Sequence, residues 1–206
     1  MKKLVVFLIA ACMAVSYAGA QNSDALGKEL KKEYKAKVKE LKKDGWKLLG
    51  GSRTIEVLLL SHYEKLAAMG ADGQEITGYV TKTKFKGAGR QAAFNDALAS
   101  YLHQEGSMKS KIVSELAAGD IEEFERFFAA YEKYAEKEIK GELVESFSMY
   151  KENGDGTFQI QTICTLSKAA SIKARERALD AAAKETESAK KYVGKVAEFI
   201  RNGYVD

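Results

Sequence analysis

The stretch ELVESFSMYKENGDGTFQIQTICTLS, residues 142–167, decides the fold class of this chain. Its second half alternates in polarity, as a strand with one buried face does. The side chains expected on that buried face are Phe158, Ile160, Thr162, Cys164 and Leu166. The segment Asn153–Gly156 separates the two halves, and Asn-Gly and Asp-Gly pairs are strong hairpin signals. The sequence therefore predicts a β-hairpin with strands at about 142–151 and 157–167.

The same turn has some of the residues of a calcium-binding loop. An EF-hand would need an acid two residues before Asn153 and a glutamate at the twelfth position, but Lys151 and Thr162 stand there. Two histidines and two cysteines in the whole chain also argue against a structural zinc site. No metal or cofactor is expected.

Other parts of the chain have helical periodicity, with apolar residues three and four positions apart. The predicted helices are Asp24–Lys43, a segment capped by Ser52 or Thr54 and stopped by Gly70, a segment opened by Gly87–Gly89, a segment behind the Asp120/Glu123 capping box that ends at Gly141, and Lys168–Asn202 with a candidate break at Gly194. Strands are favoured at Glu75–Phe85 and, in a short piece, at Trp46–Leu49, while Ser107–Ala118 is ambiguous. This mixture predicts an α+β fold: a small antiparallel or mixed sheet that includes the hairpin, with several amphipathic helices on one face.

The first twenty residues have the three parts of a cleavable signal peptide. Lys2 and Lys3 are the positive region, Leu4–Val15 is apolar, and Ala18–Ala20 supplies the small residues before the cut. The expected domains are a signal peptide at 1–20, a Lys-rich amphipathic helix at 21–45 and a single α+β domain at 46–206. Export to the periplasm or the outer membrane is expected. The alternative is a lipobox ending at Cys12, which would give a lipid-anchored protein.

The charges are nearly balanced, with 33 basic and 29 acidic residues and a net charge of +4. This balance gives no argument for nucleic acid as a partner. After removal of the signal peptide, Cys164 would be the remaining cysteine, so an intramolecular disulfide is not expected. Cys164 alternates with apolar residues and is expected to be a buried, inert thiol.

Two features are weak candidates for sites. Gly87, Gly89 and Arg90 at a helix start could bind an anion, because free backbone N–H groups and a guanidinium would converge there; a turn that needs glycine explains them as well. His62 lies seven residues after Ile55, on the inward side of its helix, and is expected to be a buried polar residue with hydrogen bonds. The aromatic residues from Phe124 to Tyr134 have the spacing of a core face. No catalytic residues are assigned.

Several segments together resemble a known group of proteins. They are Arg90–Leu98, Ala129–Tyr134, Lys137–Leu143, Ser146–Ser148 and Ala174–Ala178. The chain, from about Trp46 to Tyr192, resembles exported envelope proteins of unknown function from Bacteroides-type bacteria and, more distantly, the twenty-kilodalton outer-envelope lipoprotein family. The resemblance implies a compact α+β domain in the cell envelope and carries over no functional residues.

The favoured interpretation is a non-enzymatic structural or interaction protein of the cell envelope, with an envelope component or another protein as its partner. One alternative is a carboxylate-based hydrolase acting on envelope glycans, with two acids about 5–10 Å apart in a cleft. Another is a lipid-surface binder that makes peripheral membrane contact through the Lys-rich helix.

Overall fold

The computed structural model describes residues 23–185 and 190–202, with side chains from residue 30 onward, and has the predicted α+β architecture. The elements in chain order are α1 (Ser23–Lys43), β1 (Lys47–Leu48), α2 (Ile55–Met69), β2 (Gly73–Thr83), α3 (Lys86–Ser114), α4 (Ile121–Glu142), β3 (Val144–Glu152), β4 (Phe158–Ser167), α5 (Lys168–Ala183) and α6 (Lys190–Asn202). The predicted signal peptide, its cleavage site and Cys12 lie outside the described residues.

The four strands form one antiparallel sheet in the order β1-β3-β4-β2. The hairpin of β3 and β4 is at its centre and confirms the prediction from residues 142–167. Its turn is closed by the backbone N–H of Asn153, which donates to the carbonyl of Thr157 at 2.8 Å, and Gly156 has a φ of +76°. A positive φ favours glycine because a Cβ would clash with the backbone.

Helices cover both faces of the sheet, which corrects the expectation of helices on one face only. Neighbouring residues of a strand point to opposite faces. Cys164 packs with Ala97, Leu98 and Ala174 from α3 and α5, whereas Ile163 packs with Leu59 of α2. We call these two sides the α3 face and the α2 face. Both faces need a cover because β4 is apolar or buried on both of its sides.

On the α3 face, the helix approaches the sheet so closely that a strand residue must be glycine. A Cβ added to Gly78 would lie 1.8 Å from the carbonyl oxygen of Ala93 and 2.5 Å from the backbone nitrogen of Ala97. Ala93 and Ala97 are themselves fully buried. The small residues at these three positions therefore set the distance between α3 and β2.

Behind α3, the aromatic residues of α4 form a second layer of core, as their spacing predicts. Phe124, Phe127, Phe128 and Tyr131 are buried against Tyr192 of α6 and its neighbours. The ring centroids of Phe124 and Tyr192 are 5.3 Å apart in an edge-to-face arrangement that aromatic pairs favour.

The structure resolves one ambiguity of the sequence and differs from two local predictions. The ambiguous segment 107–118 is helical through Ser114, where α3 ends. Asp120 makes no capping hydrogen bond, because its carboxylate instead accepts from Lys191 at 2.8 Å. In the long C-terminal helical region, α5 ends at Ala183 rather than continuing to Gly194, and α6 packs back on α4 and α5.

The Lys-rich helix α1 packs on the rest of the domain. Leu41 is buried in the same cluster as Ile55 and Leu59 of α2, and the hydroxyl of Tyr34 donates to the carbonyl oxygen of Glu56 at 3.2 Å. The α2 face is therefore covered by α2, with α1 beside it.

Candidate functional site

His62 is the centre of a polar network beneath α2. Thr54 caps this helix by accepting a hydrogen bond from the N–H of Val57, and two turns later His62 points at the sheet with no exposed side-chain surface. Its Nδ1 lies 2.9 Å from the hydroxyl of Ser146, and its Nε2 lies 2.6 Å from a carboxylate oxygen of Glu75. A carboxylate only accepts, so Nε2 carries the hydrogen of that bond. His62 thus connects α2 with β2 and β3.

A β-bulge brings Ser146 into this network. The pairing of β3 with β4 shifts register between Glu145 and Phe147, so Ser146 is an extra residue in its strand. A bulge of this kind redirects side chains. Glu145 before it contacts α3, while Phe147 after it packs on the α2 face. The bulge therefore supplies a polar residue to each face at neighbouring positions.

On the other side of the bulge, Glu145 forms a fixed ion pair with Arg90 of α3. The guanidinium donates from Nε at 2.8 and 3.1 Å and from Nη2 at 2.9 Å. Glu145 also accepts from Ser148 at 2.5 Å, and Ser148 lies 2.8 Å from the hydroxyl of Thr162. The hydrogen bond and the charge of Glu145 raise the pKa of Arg90 above its ordinary value.

The Arg90–Glu145 pair lies where two concave surfaces meet. The first is a cavity of about 150 Å³, to which Gly50, Leu58 and Ser146 also contribute. The second, which we call the α3 groove, is an open concavity of about 730 Å³. Its other lining residues are Gly87, Gln91, Phe94, Asn95 and Lys140.

The residues of the predicted anion site have separate roles in the structure. A Cβ on Gly89 would lie 2.6 Å from side-chain atoms of both Ile160 and Thr83, so this glycine serves helix-to-sheet packing. Arg90 is paired with Glu145, and Gly87 lines the α3 groove. Anion binding by Gly87, Gly89 and Arg90 stays a prediction, with the carboxylate of Glu145 as its competitor.

Cys164 is fully buried on the α3 face. Burial disfavours the thiolate and raises the pKa of Cys164 to about 12, well above its ordinary value. A thiol that remains protonated and inaccessible is a poor nucleophile and a poor metal ligand.

A buried ion pair between Glu105 and Arg175 was missed in the sequence. Nε of Arg175 donates to Glu105 at 2.6 Å, Tyr131 donates to the other carboxylate oxygen at 3.0 Å, and the two charged side chains are 3% and 6% exposed. The helical spacing contained the signal. Glu105 lies on the apolar stripe of α3 between Leu98 and Met108, and Arg175 lies on the buried stripe of α5.

No pattern in the sequence predicts the contacts of Ser146, Glu75 and Glu145. A bulge cannot be read from strand periodicity, and the three residues come from segments up to 71 positions apart. Within the described residues, no group of three or more His, Cys, Asp and Glu side chains is arranged to hold a metal ion. None of the helices that the structure describes has both the length and the apolar character needed to cross a bilayer.

Comparison of the chain with protein families, with curated proteins and with solved structures finds no match. The class of the protein is therefore defined by its α+β fold. A proposal for its function starts from the two polar networks that meet at the bulge of β3.

Proposed function

We propose that this chain is a non-enzymatic interaction protein of the cell envelope, and that the α3 groove is its contact surface. Export is the expectation from the signal-peptide pattern of residues 1–20. The observation that carries the proposal is the Arg90–Glu145 pair, which is joined by hydrogen bonds and lines the groove. A preorganised polar surface is what specific recognition requires.

The composition of the α3 groove supports recognition. Its volume of about 730 Å³ falls within the range of roughly 300–1,000 Å³ that is usual for ligand sites. Phe94 supplies an aromatic surface, and the amides of Gln91 and Asn95 are joined by a hydrogen bond of 3.1 Å. Arg90 and Lys140 give the groove a positive balance against Glu145 alone, which favours a polar partner with an acidic group.

The same lining argues against the glycan hydrolase that two carboxylates would form. Such enzymes need two acids about 5–10 Å apart across the scissile bond. Glu145 is the one carboxylic acid in the lining of each concave surface described above. Both of its carboxylate oxygens already accept hydrogen bonds from Arg90, and one of them also accepts from Ser148.

Site-specific photocrosslinking tests the interaction proposal. A photoreactive amino acid at Asn95, in the exported protein in living cells, should give a discrete adduct in the envelope fraction. The same group at Asp180, an exposed residue of α5, should not. Arg90→Ala should remove the Asn95 adduct. No adduct from either Asn95 or Gln91 would overturn the groove as a contact surface.

The hydrogen bonds of His62 favour a second candidate function, that of a serine hydrolase. Ser146, His62 and Glu75 are connected in the order of nucleophile, base and carboxylate, and Ser146 lines the cavity of about 150 Å³. The exposed fractions of the His62 and Glu75 side chains argue for a structural role of this network instead. The base has no exposed side-chain surface, while the carboxylate that would orient it is 42% exposed.

A fluorophosphonate probe separates the two candidates. The interaction proposal expects no labelling of Ser146, measured by mass spectrometry of the native protein, with a known serine hydrolase as the positive control. Labelling of Ser146 that disappears in His62→Gln, while that variant retains its circular dichroism spectrum, would replace the interaction proposal with the hydrolase.

A further inference from the structure

The exposed lysines of α1 lie on one flank of the helix. Among the described side chains of α1, the exposed lysines are Lys31, Lys32, Lys35, Lys39, Lys42 and Lys43. At about 100° per residue, these six positions fall within an arc of about 120°. Glu33 and Glu40 lie on the other flank, together with the half-buried Lys37 that pairs with Glu40. The charges of α1 are therefore segregated, and one long side of the helix is strongly positive.

Contacts with α2 show which way the lysine flank faces. Lys42 pairs with the carboxylate of Glu56 on α2, and Tyr34 donates to the carbonyl of the same residue. The lysine flank is consequently the side of α1 next to α2. This places the positive charges beside whatever α2 exposes to solvent.

Apolar and charged residues share the part of α2 that faces solvent. Val57 is 48% exposed and Leu60 is 41% exposed, beside the exposed Glu64 and Lys65. Leu60 is one turn after Glu56, so it lies on the strip of α2 that borders α1. A helix that is apolar on its buried side and on part of its exposed side has a face without a partner.

From this arrangement we propose that α1 and α2 together form a docking surface for an anionic lipid bilayer. We call it the α1–α2 surface. Lysines attract acidic headgroups, and aliphatic side chains among them enter the boundary between headgroups and acyl chains. The row from Lys31 to Lys43 is about 18 Å long at 1.5 Å per residue. An extended row of flexible cations suits a diffuse layer of headgroups better than a single acidic residue of a partner.

This inference goes beyond the proposed function and uses a different part of the molecule. The α3 groove lies across the sheet from the α1–α2 surface, since α3 and α2 cover opposite faces. A protein held against a membrane by the α1–α2 surface would present the groove away from the bilayer. Either surface can be removed without altering the other.

Cosedimentation with vesicles tests the electrostatic part. The protein is purified with the N-terminus that the exporting cell gives it, so any lipid anchor is common to all variants. Binding to phosphatidylglycerol vesicles should exceed binding to phosphatidylcholine vesicles and fall with salt. Each lysine near an anionic surface contributes about fivefold, so the triple change Lys31→Gln, Lys35→Gln and Lys39→Gln should weaken that binding roughly 100-fold.

The matched control removes three exposed lysines elsewhere: Lys133→Gln, Lys137→Gln and Lys184→Gln. It has the same net charge as the α1 variant and should keep binding within about threefold of the parent. Equal loss of binding in both variants would reduce the effect to net charge and overturn a defined surface. So would no preference for phosphatidylglycerol over phosphatidylcholine.

A second pair of variants tests the apolar part. Val57→Gln with Leu60→Gln should weaken vesicle binding roughly tenfold. Phe85→Gln changes an exposed aromatic residue at the start of α3 and should have no effect. If size-exclusion chromatography shows self-association that Val57→Gln and Leu60→Gln abolish, and vesicles are not bound, the surface serves a second copy of the chain and the lipid proposal is wrong.

Discussion

The two faces of the sheet hold their polar groups in different ways. On the α3 face, the Glu105–Arg175 pair lies between helices with 3% and 6% of the two side chains exposed. On the α2 face, His62 is equally buried, but its partner Glu75 is 42% exposed. One network is closed to water and the other is open at one end.

The difference follows from the thickness of the two covers. The α3 face is covered by α3 together with parts of α4 and α5, and α6 packs behind them. The α2 face has α2 with α1 beside it, and α2 still exposes Val57 and Leu60. Charges that lose their partner in a closed interior cannot recover it from water, whereas water can replace a lost partner near the surface. The same substitution should therefore have unequal effects on the two faces.

The largest effect is expected at the closest contact on the α3 face. Gly78→Ala would place a Cβ 1.8 Å from the carbonyl oxygen of Ala93, so α3 and β2 must separate. We expect a loss of at least about 3 kcal/mol in the free energy of unfolding, measured by urea denaturation. Gly141→Ala in α4 is the matched control, because nothing lies within 4 Å of its added Cβ; it should be neutral or slightly stabilising. Similar results for both variants would contradict the close packing of the α3 face.

The next effect is the removal of one charge from the closed network. Glu105→Gln leaves Arg175 without its carboxylate in the interior, and we expect a loss of roughly 3–5 kcal/mol in the free energy of unfolding. Arg177→Gln removes an exposed arginine that pairs with Glu138 and Glu142, and it should cost less than about 1 kcal/mol. Urea denaturation of both variants measures the difference. A loss below about 1 kcal/mol for Glu105→Gln would mean that water reaches this pair.

The same chemical change on the α2 face sharpens the comparison. Glu75→Gln retains an oxygen and a similar shape beside His62, and its exposed end can be solvated. We expect a loss of about 1 kcal/mol, the usual contribution of one hydrogen bond. Urea denaturation beside Glu105→Gln measures it. A loss as large as that of Glu105→Gln would show that the two faces are equally closed.

The contrast between the faces was only partly visible in the sequence. Residues 142–167 predicted the hairpin, because alternation and Asn-Gly turns are local signals. The spacing from Phe124 to Tyr134 predicted a core face for the same reason. His62 was expected to be buried and polar, but its partners Glu75 and Ser146 depend on which strands pair and on the bulge at Glu145–Phe147. Such contacts between distant segments have no local periodicity.

Helices on the second face were missed for a related reason. In β4, Ile160, Cys164 and Leu166 alternate as a strand with one buried side would, but Ile163 and the polar Gln161 and Thr165 are buried as well. Because several buried residues of the α2 face are polar, the hydrophobicity pattern of β4 does not indicate that this face is buried.

The smallest effect is a pH dependence where α1 meets α2. The hydrogen bond from Lys42, with those from the Glu56 backbone and Thr54, lowers the pKa of Glu56 from 4.5 to about 2. Because the pKa of Glu56 is lower in the folded state than its ordinary value of 4.5, Glu56 stabilises the folded state at pH values above 4.5. This contribution to stability is lost as the pH falls from 4.5 through about 2. We expect less than about 1 kcal/mol, since the pair is at the surface. Trp46, the single tryptophan, packs in the cluster of Leu41 and Ile55, and its fluorescence during urea denaturation at pH 5 and at pH 2.5 measures the change.

Glu56→Gln should reduce the difference in the free energy of unfolding between pH 5 and pH 2.5, and Glu64→Gln, on the exposed side of α2, should leave that difference unchanged. An unchanged difference in Glu56→Gln would remove Glu56 from the docking of α1, and with it one of the contacts that orients the lysine flank beside Leu60.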